Sequence, residues 1–86
     1  MDSYEIIKHP LSTEKSVKLM ESENKLLFVV DRKASKQNIK EAMESIFKVK
    51  VIKVNAFISN NGEKRAYIKL AKENPAIDVA TELGLL

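Results

Sequence analysis

Ile39, Ala42, Met43, Ile46 and Phe47 recur at the three- and four-residue spacing of one helical face. Ser35 stands just ahead of them, where its hydroxyl can accept a free first-turn N–H, so the pattern predicts a helix with Ser35 as its cap. Glu44 precedes Lys48 by four residues, the favourable order for a helical ion pair. Residues 49–58 then alternate as a strand, but in two phases: Val49 and Val51 first, then Ile52, Val54, Ala56 and Ile58. Such a phase change predicts a bulge or an exchange of buried face. Lys48 falls where the chain must reverse and a left-handed residue is expected; lysine there costs about 1 kcal/mol relative to glycine.

The rest of the pattern is read onto this helix–strand unit. Leu26 to Val30 are apolar without a break, which predicts a strand over 25–31 that is covered on both faces and interior to a sheet. Residues 63–70 alternate, with Ala66, Ile68 and Leu70 on one side and Arg65, Tyr67 and Lys69 on the other. The Ser59-Asn60-Asn61-Gly62 stretch before them reads as a hairpin loop, because Asn and Gly tolerate positive φ. Near the start, Ile6 and Ile7 predict a short edge strand over 4–8, ended by His9-Pro10 because proline gives the ladder no donor. Residues 11–21 predict a helix capped by Thr13 or Ser12, with Val17, Leu19 and Met20 as a partial apolar edge and residues 21–24 as a turn. Asn74 and Pro75 predict the cap and first residue of a last helix, buried along Ile77, Ala80 and Leu83 and stopped by Gly84.

The elements run strand–helix–strand–helix–strand–strand–helix. The second and third strands flank a helix and therefore run parallel. Placing the hairpin's return strand between them makes the sheet wholly antiparallel and puts the most apolar strand inside. The expected fold is α+β: a four-stranded antiparallel sheet of order 1-2-4-3 with packed helices, an α/β sandwich.

Composition narrows the function. The 86 residues make one domain, 1–86, and 44% hydrophobic residues with two glycines and two prolines favour a folded chain. There is no cysteine and a single histidine, so disulfides, thiolate sites and His-based zinc sites are not expected. No apolar run approaches the ~20 residues that cross a bilayer, and no signal-peptide pattern opens the chain, so a soluble cytoplasmic protein is the expectation. The net charge of +3 hides an uneven distribution. Residues 1–31 carry four lysines against six acids, residues 32–72 eleven basic residues against three, and residues 73–86 three acids alone. A basic middle between acidic ends points to one face that meets a polyanion; a merely solvated lysine surface is the other reading.

Catalysis has no constellation to rest on. No nucleophile–base pair is apparent, no glycine-rich phosphate loop exists with Gly62 and Gly84 the only glycines, and carboxylates are scattered. No cofactor and no small-molecule substrate are expected. What stands out is cationic. Lys33, Lys36 and Lys40 share one side of the main helix with Arg32 just ahead, and Lys53, Asn55, Lys64 and Arg65 lie along the hairpin. Lys8, His9, Ser12, Thr13, Lys15 and Ser16 surround the first turn, as suits phosphate and ribose contacts. Tyr67, on the side of Arg65, can stack on an unpaired base or cover the sheet, and a single aromatic is too few for a paired stacking platform.

Four ordered segments carry a family resemblance: 7–16 (Ile-Lys-His-Pro-Leu-Ser-Thr-Glu-Lys-Ser), 34–40 (Ala-Ser-Lys-Gln-Asn-Ile-Lys), 46–51 (Ile-Phe-Lys-Val-Lys-Val), and Val54-Asn55. Gly62 to Tyr67 and the terminal helix fit as well. Together they resemble the large-ribosomal-subunit protein twenty-three family in its short archaeal form, over nearly the whole chain. The resemblance implies an α/β sandwich that binds large-subunit rRNA beside the mouth of the polypeptide exit tunnel. It implies that Lys8, His9, Thr13, Lys15, Lys36, Lys40, Asn55, Lys64 and Arg65 face rRNA; Arg32 and Lys53 join that set on charge alone. In bacterial members the glutamate of the Thr/Ser-Glu-Lys motif contacts trigger factor, and Glu14 matches it; for an archaeal member this implies docking of signal recognition particle or the translocon. Ribosomal protein twenty-nine is the implied neighbour. The family usually has Gly where Lys48 stands, and the hairpin loop here is too short to imply a tunnel-lining role. A free-standing RNA-binding regulatory module and a small protein-interaction domain remain the alternative readings.

Overall fold

The computed structural model describes residues 2–85. Its elements are α1 (Ser3–Ile6), β1 (Ile7–Pro10), α2 (Glu14–Glu23), β2 (Lys25–Val30), α3 (Lys36–Phe47), β3 (Val51–Ile58), β4 (Lys64–Leu70) and α4 (Ala76–Glu82). The four strands form one antiparallel sheet of order β1-β2-β4-β3. This is the expected α+β arrangement, and β2, apolar from Leu26 to Val30, is indeed interior.

Alternation along β2, β3 and β4 gives the sheet two different faces. Leu26, Phe28 and Val30 stand opposite Ile68, Ala66 and Lys64, and Val51, Val54 and Ala56 continue the same face on β3. Against this face pack Ile6 from α1, Met20 from α2, Ile39, Ala42 and Met43 from α3, and Ala76, Val79 and Ala80 from α4, as one cluster. Phe28 meets Phe47 within it, ring centroids 5.9 Å apart. Leu27 and Val29 are also buried but stand outside that cluster, on the opposite face. The cover expected over both faces of β2 is therefore asymmetric: helices on one side, neighbouring side chains on the other.

Local signals act much as anticipated around α3. Ser35 accepts from the Asn38 N–H at 3.1 Å, and Asn38 returns the bond to the Ser35 N–H at 3.0 Å, closing a capping box. Lys48 ends the helix in the left-handed region, φ 56° and ψ 42°. The register shifts between Val51 and Lys53, which makes Ile52 the extra residue behind the phase change. Gly62, with φ +85°, turns the hairpin as expected.

Several expectations fail, each for a local reason. Residues 3–6 form a helical turn because Asp2 caps it through the Tyr4 N–H, and the edge strand starts only at Ile7 and includes His9 and Pro10. Helix α2 starts later, at Glu14, and consumes the expected turn, running to Glu23 with Asn24 as a left-handed cap. Strand β3 starts at Val51, later than 49. Glu44 does not pair with Lys48; its carboxylate accepts from the Val51 N–H at 3.0 Å, holding the helix end to the strand. Asn74 does not cap α4, because its side chain accepts from the Lys50 N–H at 2.8 Å. Asn24 supplies that cap from afar, accepting from the Ala76 N–H at 2.6 Å. The buried edge of α4 is accordingly Ala76, Val79 and Ala80, while Ile77 is exposed.

Candidate nucleic-acid interface

The face of the sheet opposite the helices is built from cross-strand rows. Lys53, Asn55 and Phe57 of β3 stand opposite Lys69, Tyr67 and Arg65 of β4, which in turn stand opposite Lys25, Leu27 and Val29 of β2. His9 of β1 continues the row beyond Val29. Phe57 and Tyr67 are diagonal neighbours and lie nearly parallel, ring centroids 5.7 Å apart and planes 24° from each other. Four lysines or arginines (Lys25, Lys53, Lys69 and Arg65) therefore surround a two-ring aromatic centre on one surface.

The first turn of α2 supplies the rim. Thr13 is held as the N-cap: its hydroxyl accepts from the Ser16 N–H at 3.0 Å, and the Ser16 hydroxyl accepts from the Thr13 N–H at 2.7 Å. This fixes the direction in which the next residues leave the cap. Thr13 and Lys15 line a groove of about 450 Å³ with Leu27, Asn55, Phe57, Arg65 and Tyr67. Glu14 points away into solvent, its side chain 89% exposed, and meets only Lys18 at 3.7 Å.

The predicted cations fall into three groups. Lys15, Lys53 and Arg65, with Thr13 and Asn55, share the open face and its groove. Lys8, His9, Arg32 and Lys64 line a second, open groove of about 400 Å³ at the β1 and hairpin end, together with Gly62 and Glu63. Lys36 and Lys40 sit on α3, in the helix layer. Lys64 and Arg65, adjacent on β4, point to opposite faces of the sheet, as the alternation of this strand requires. The Lys64 ammonium donates to the Ala34 carbonyl at 2.6 Å, at the entrance to α3. His9 joins the two grooved regions, facing Val29 in the row and lining the second groove.

Acidic neighbours neutralise few of these cations. Among the described residues the ion pairs are Lys18–Glu14, Lys25–Glu23 and Arg65–Glu63. Lys8, Lys15, Arg32, Lys36, Lys40, Lys53 and Lys64 are in none of them. The Arg65 guanidinium donates to Glu63 at 2.9 and 3.2 Å, and this bond, ahead of simple charge attraction, holds the Glu63 carboxyl below its ordinary range. The same contact fixes where the Arg65 fork lies at the groove. Among the described residues no three His, Cys, Asp or Glu side chains gather as a metal site, and no helix is long and apolar enough to cross a membrane.

Phe57 is the residue that sequence reasoning missed. Val54, Ala56 and Ile58 carry the apolar phase of β3, while Lys53, Asn55 and Phe57 alternate on the other side. That places a second ring beside Tyr67, so the count of one aromatic on this face is corrected to two.

A small α+β protein with an open, cation-rimmed and aromatic-bearing sheet face defines the class: a surface suited to nucleic acid. The family profile of ribosomal protein L23 matches residues 5–78. The large ribosomal subunit protein uL23 of Methanococcus vannielii, an archaeon, is 48% identical over 85 residues, covering 99% of each chain. The chain belongs to the ribosomal protein L23 family, in its archaeal form, and its role as a structural protein of the large ribosomal subunit follows from that membership. Its partners are accordingly rRNA and other ribosomal proteins.

Proposed function

We propose that this protein binds large-subunit rRNA next to the exit of the polypeptide tunnel, and there offers a docking surface for factors that meet nascent chains. The observation that carries the reading is the set of cations without an acidic partner among the described residues, on the sheet face, the hairpin end and α3. Lysines left without acidic partners can each neutralise a phosphate and release its counterion, which drives association with RNA of any sequence. Lys8, His9, Thr13, Lys15, Arg32, Lys36, Lys40, Lys53, Asn55, Lys64 and Arg65 are the proposed contacts. Of these, Lys64 acts through the loop at Ala34 as much as through phosphate, because its ammonium is already engaged there.

Glu14 has a different part. It projects from the first turn of α2 with a nearly free side chain, and its one ion pair is too exposed to hold it. That suits a contact with signal recognition particle or the translocon, while ribosomal protein twenty-nine is the proposed neighbour within the subunit. The protein acts by holding surfaces, not by catalysis.

The test is a salt titration of binding to purified large-subunit rRNA. Contact through about six phosphates loses about a thousandfold in affinity between roughly 50 and 200 mM salt. The charge-reversed Lys36→Glu/Lys40→Glu variant should bind more weakly and lower the salt slope by about two. A flat salt response, or a double variant equal to wild type with its fold intact, would refute the phosphate-binding surface. Glu14→Lys should weaken factor docking on assembled subunits and leave rRNA affinity unchanged; equal loss of both would remove the division of labour.

A further inference from the structure

Phosphate contacts do not account for the middle of the open face. Phosphate is served by cations, yet the groove between α2 and the β3–β4 hairpin is centred on two stacked rings and lined by Leu27, which is 4% exposed and can only be its floor. Phe57 is 38% exposed, one of five large apolar or aromatic side chains that reach solvent among the described residues, and the one that lies in this groove. The Asn55 amide and the Tyr67 hydroxyl have no hydrogen-bond partner among the described residues, although both border the groove. At its mouth stand Lys15, free of any ion pair there, and Arg65, whose fork is oriented by Glu63. An apolar floor, ring faces, free polar groups and cations at the mouth form one combination.

We propose that this groove takes one unpaired nucleotide of rRNA, its base stacked on the Phe57–Tyr67 pair and its phosphate held by Lys15 and Arg65. This rests on the rRNA-binding reading and names the element that the sheet face recognises: a single-stranded residue splayed from the fold, not a duplex. The chemistry selects that ligand. A paired base in a helix hides both faces in its stack, whereas a bulged or looped base offers a face to an aromatic ring. A groove of about 450 Å³ has room for a base with its ribose. Asn55, facing Tyr67 across the strands, is placed to hydrogen-bond the base edge; the Thr13 hydroxyl is already engaged in the cap and contributes only shape. A peptide partner would not require cations at the mouth of an aromatic groove, and protein docking on this face is the competing outcome of the test.

The experiment uses the full chain and purified large-subunit rRNA. Binding is measured by filter retention across a salt series for wild type, Phe57→Leu/Tyr67→Leu, and Tyr67→Phe, with circular dichroism confirming that each variant is folded. The double leucine variant should lose about tenfold to a hundredfold in affinity, the range for one base–aromatic stack, with the salt slope unchanged because no phosphate contact is removed. Tyr67→Phe keeps the ring and should bind within about threefold of wild type. Ultraviolet cross-linking of wild type should join Phe57 or Tyr67 to a nucleotide that is unpaired in the rRNA, and the same cross-link should be absent with a fully duplex RNA.

A double leucine variant that binds as wild type does, while the Lys36→Glu/Lys40→Glu variant binds weakly, overturns the nucleotide pocket and leaves the rRNA reading standing. In that case rings shielded in assembled subunits would be covered by protein. A wild-type chain that fails to bind rRNA at all overturns both.

Discussion

Removing the Asn24 side chain should unseat α4 and cost much of the protein's stability. Asn24 ends α2 at φ 58° and ψ 41°, the left-handed region, where Asn is better tolerated than most residues. Its amide nitrogen lies 3.1 Å from each of three carbonyls, those of Leu70, Ala71 and Asn74. Its amide oxygen accepts from the Ala76 N–H, the first donor of α4. Two amide protons serve three acceptors, so the side chain contributes about two donated bonds and one accepted one. At about 1 kcal/mol net for each, their loss in Asn24→Ala costs about 3 kcal/mol. Alanine in the left-handed region adds about 1 kcal/mol. The total of about 4 kcal/mol is a third or more of what a domain this size has, and corresponds to a fall of about 20 °C in Tm.

The assay is urea unfolding followed by circular dichroism, with Asn24→Gly as the partner variant. Glycine restores the backbone freedom but not the bonds, so it should recover about 1 kcal/mol of the loss. A loss under about 1 kcal/mol in Asn24→Ala would refute the view that this side chain joins α2, β4 and α4. Equal midpoints for the two variants would refute the backbone part alone.

Two further predictions concern the ends of α3 and the hairpin. Lys48→Gly should raise the unfolding free energy by about 0.5–1 kcal/mol, because lysine holds φ 56° there at a cost that glycine avoids; a urea midpoint at or below wild type would contradict it. The Glu63 carboxyl lies below its ordinary 4.5 in the folded protein, chiefly through the Arg65 hydrogen bond. A depressed carboxylate stabilises above the unfolded value and loses that contribution as the pH falls through the folded one. Stability should thus decline in the acid range below 4.5, and Glu63→Gln should flatten that decline in a pH series of unfolding midpoints.

The helix-and-strand grammar of this fold is written locally in most places. The apolar arc Ile39 to Phe47, the unbroken β2 and the alternation of 64–70 each fix an element and its buried side. They also point to the strand order, since an inserted β4 makes the sheet antiparallel throughout and puts the apolar β2 in its interior. What could not be read is where distant groups substitute for local ones. Asn74 looks like a cap in the sequence, but the αL turn at Asn24 brings a competing amide to the Ala76 N–H and frees Asn74 for Lys50. Glu44 and Lys48 have helical spacing, yet Lys48 leaves the helix and the Val51 N–H takes the carboxylate. For the candidate interface, the sequence shows the cations by type and motif. It does not show their division among a sheet face, an end groove and α3, because that depends on which way each strand residue faces. Phe57 was in plain sight in the alternation, and was lost only by following the apolar phase of β3 instead of the polar one.

The insertion of β4 has a consequence for the order in which the molecule can come into being. β2 pairs only with β1 and β4, and β3 only with β4. A chain still being synthesised holds its two outer halves without a common ladder until the final strand arrives and seals them. Phe57 and Tyr67, and the lysines around them, therefore come into alignment in a single late step.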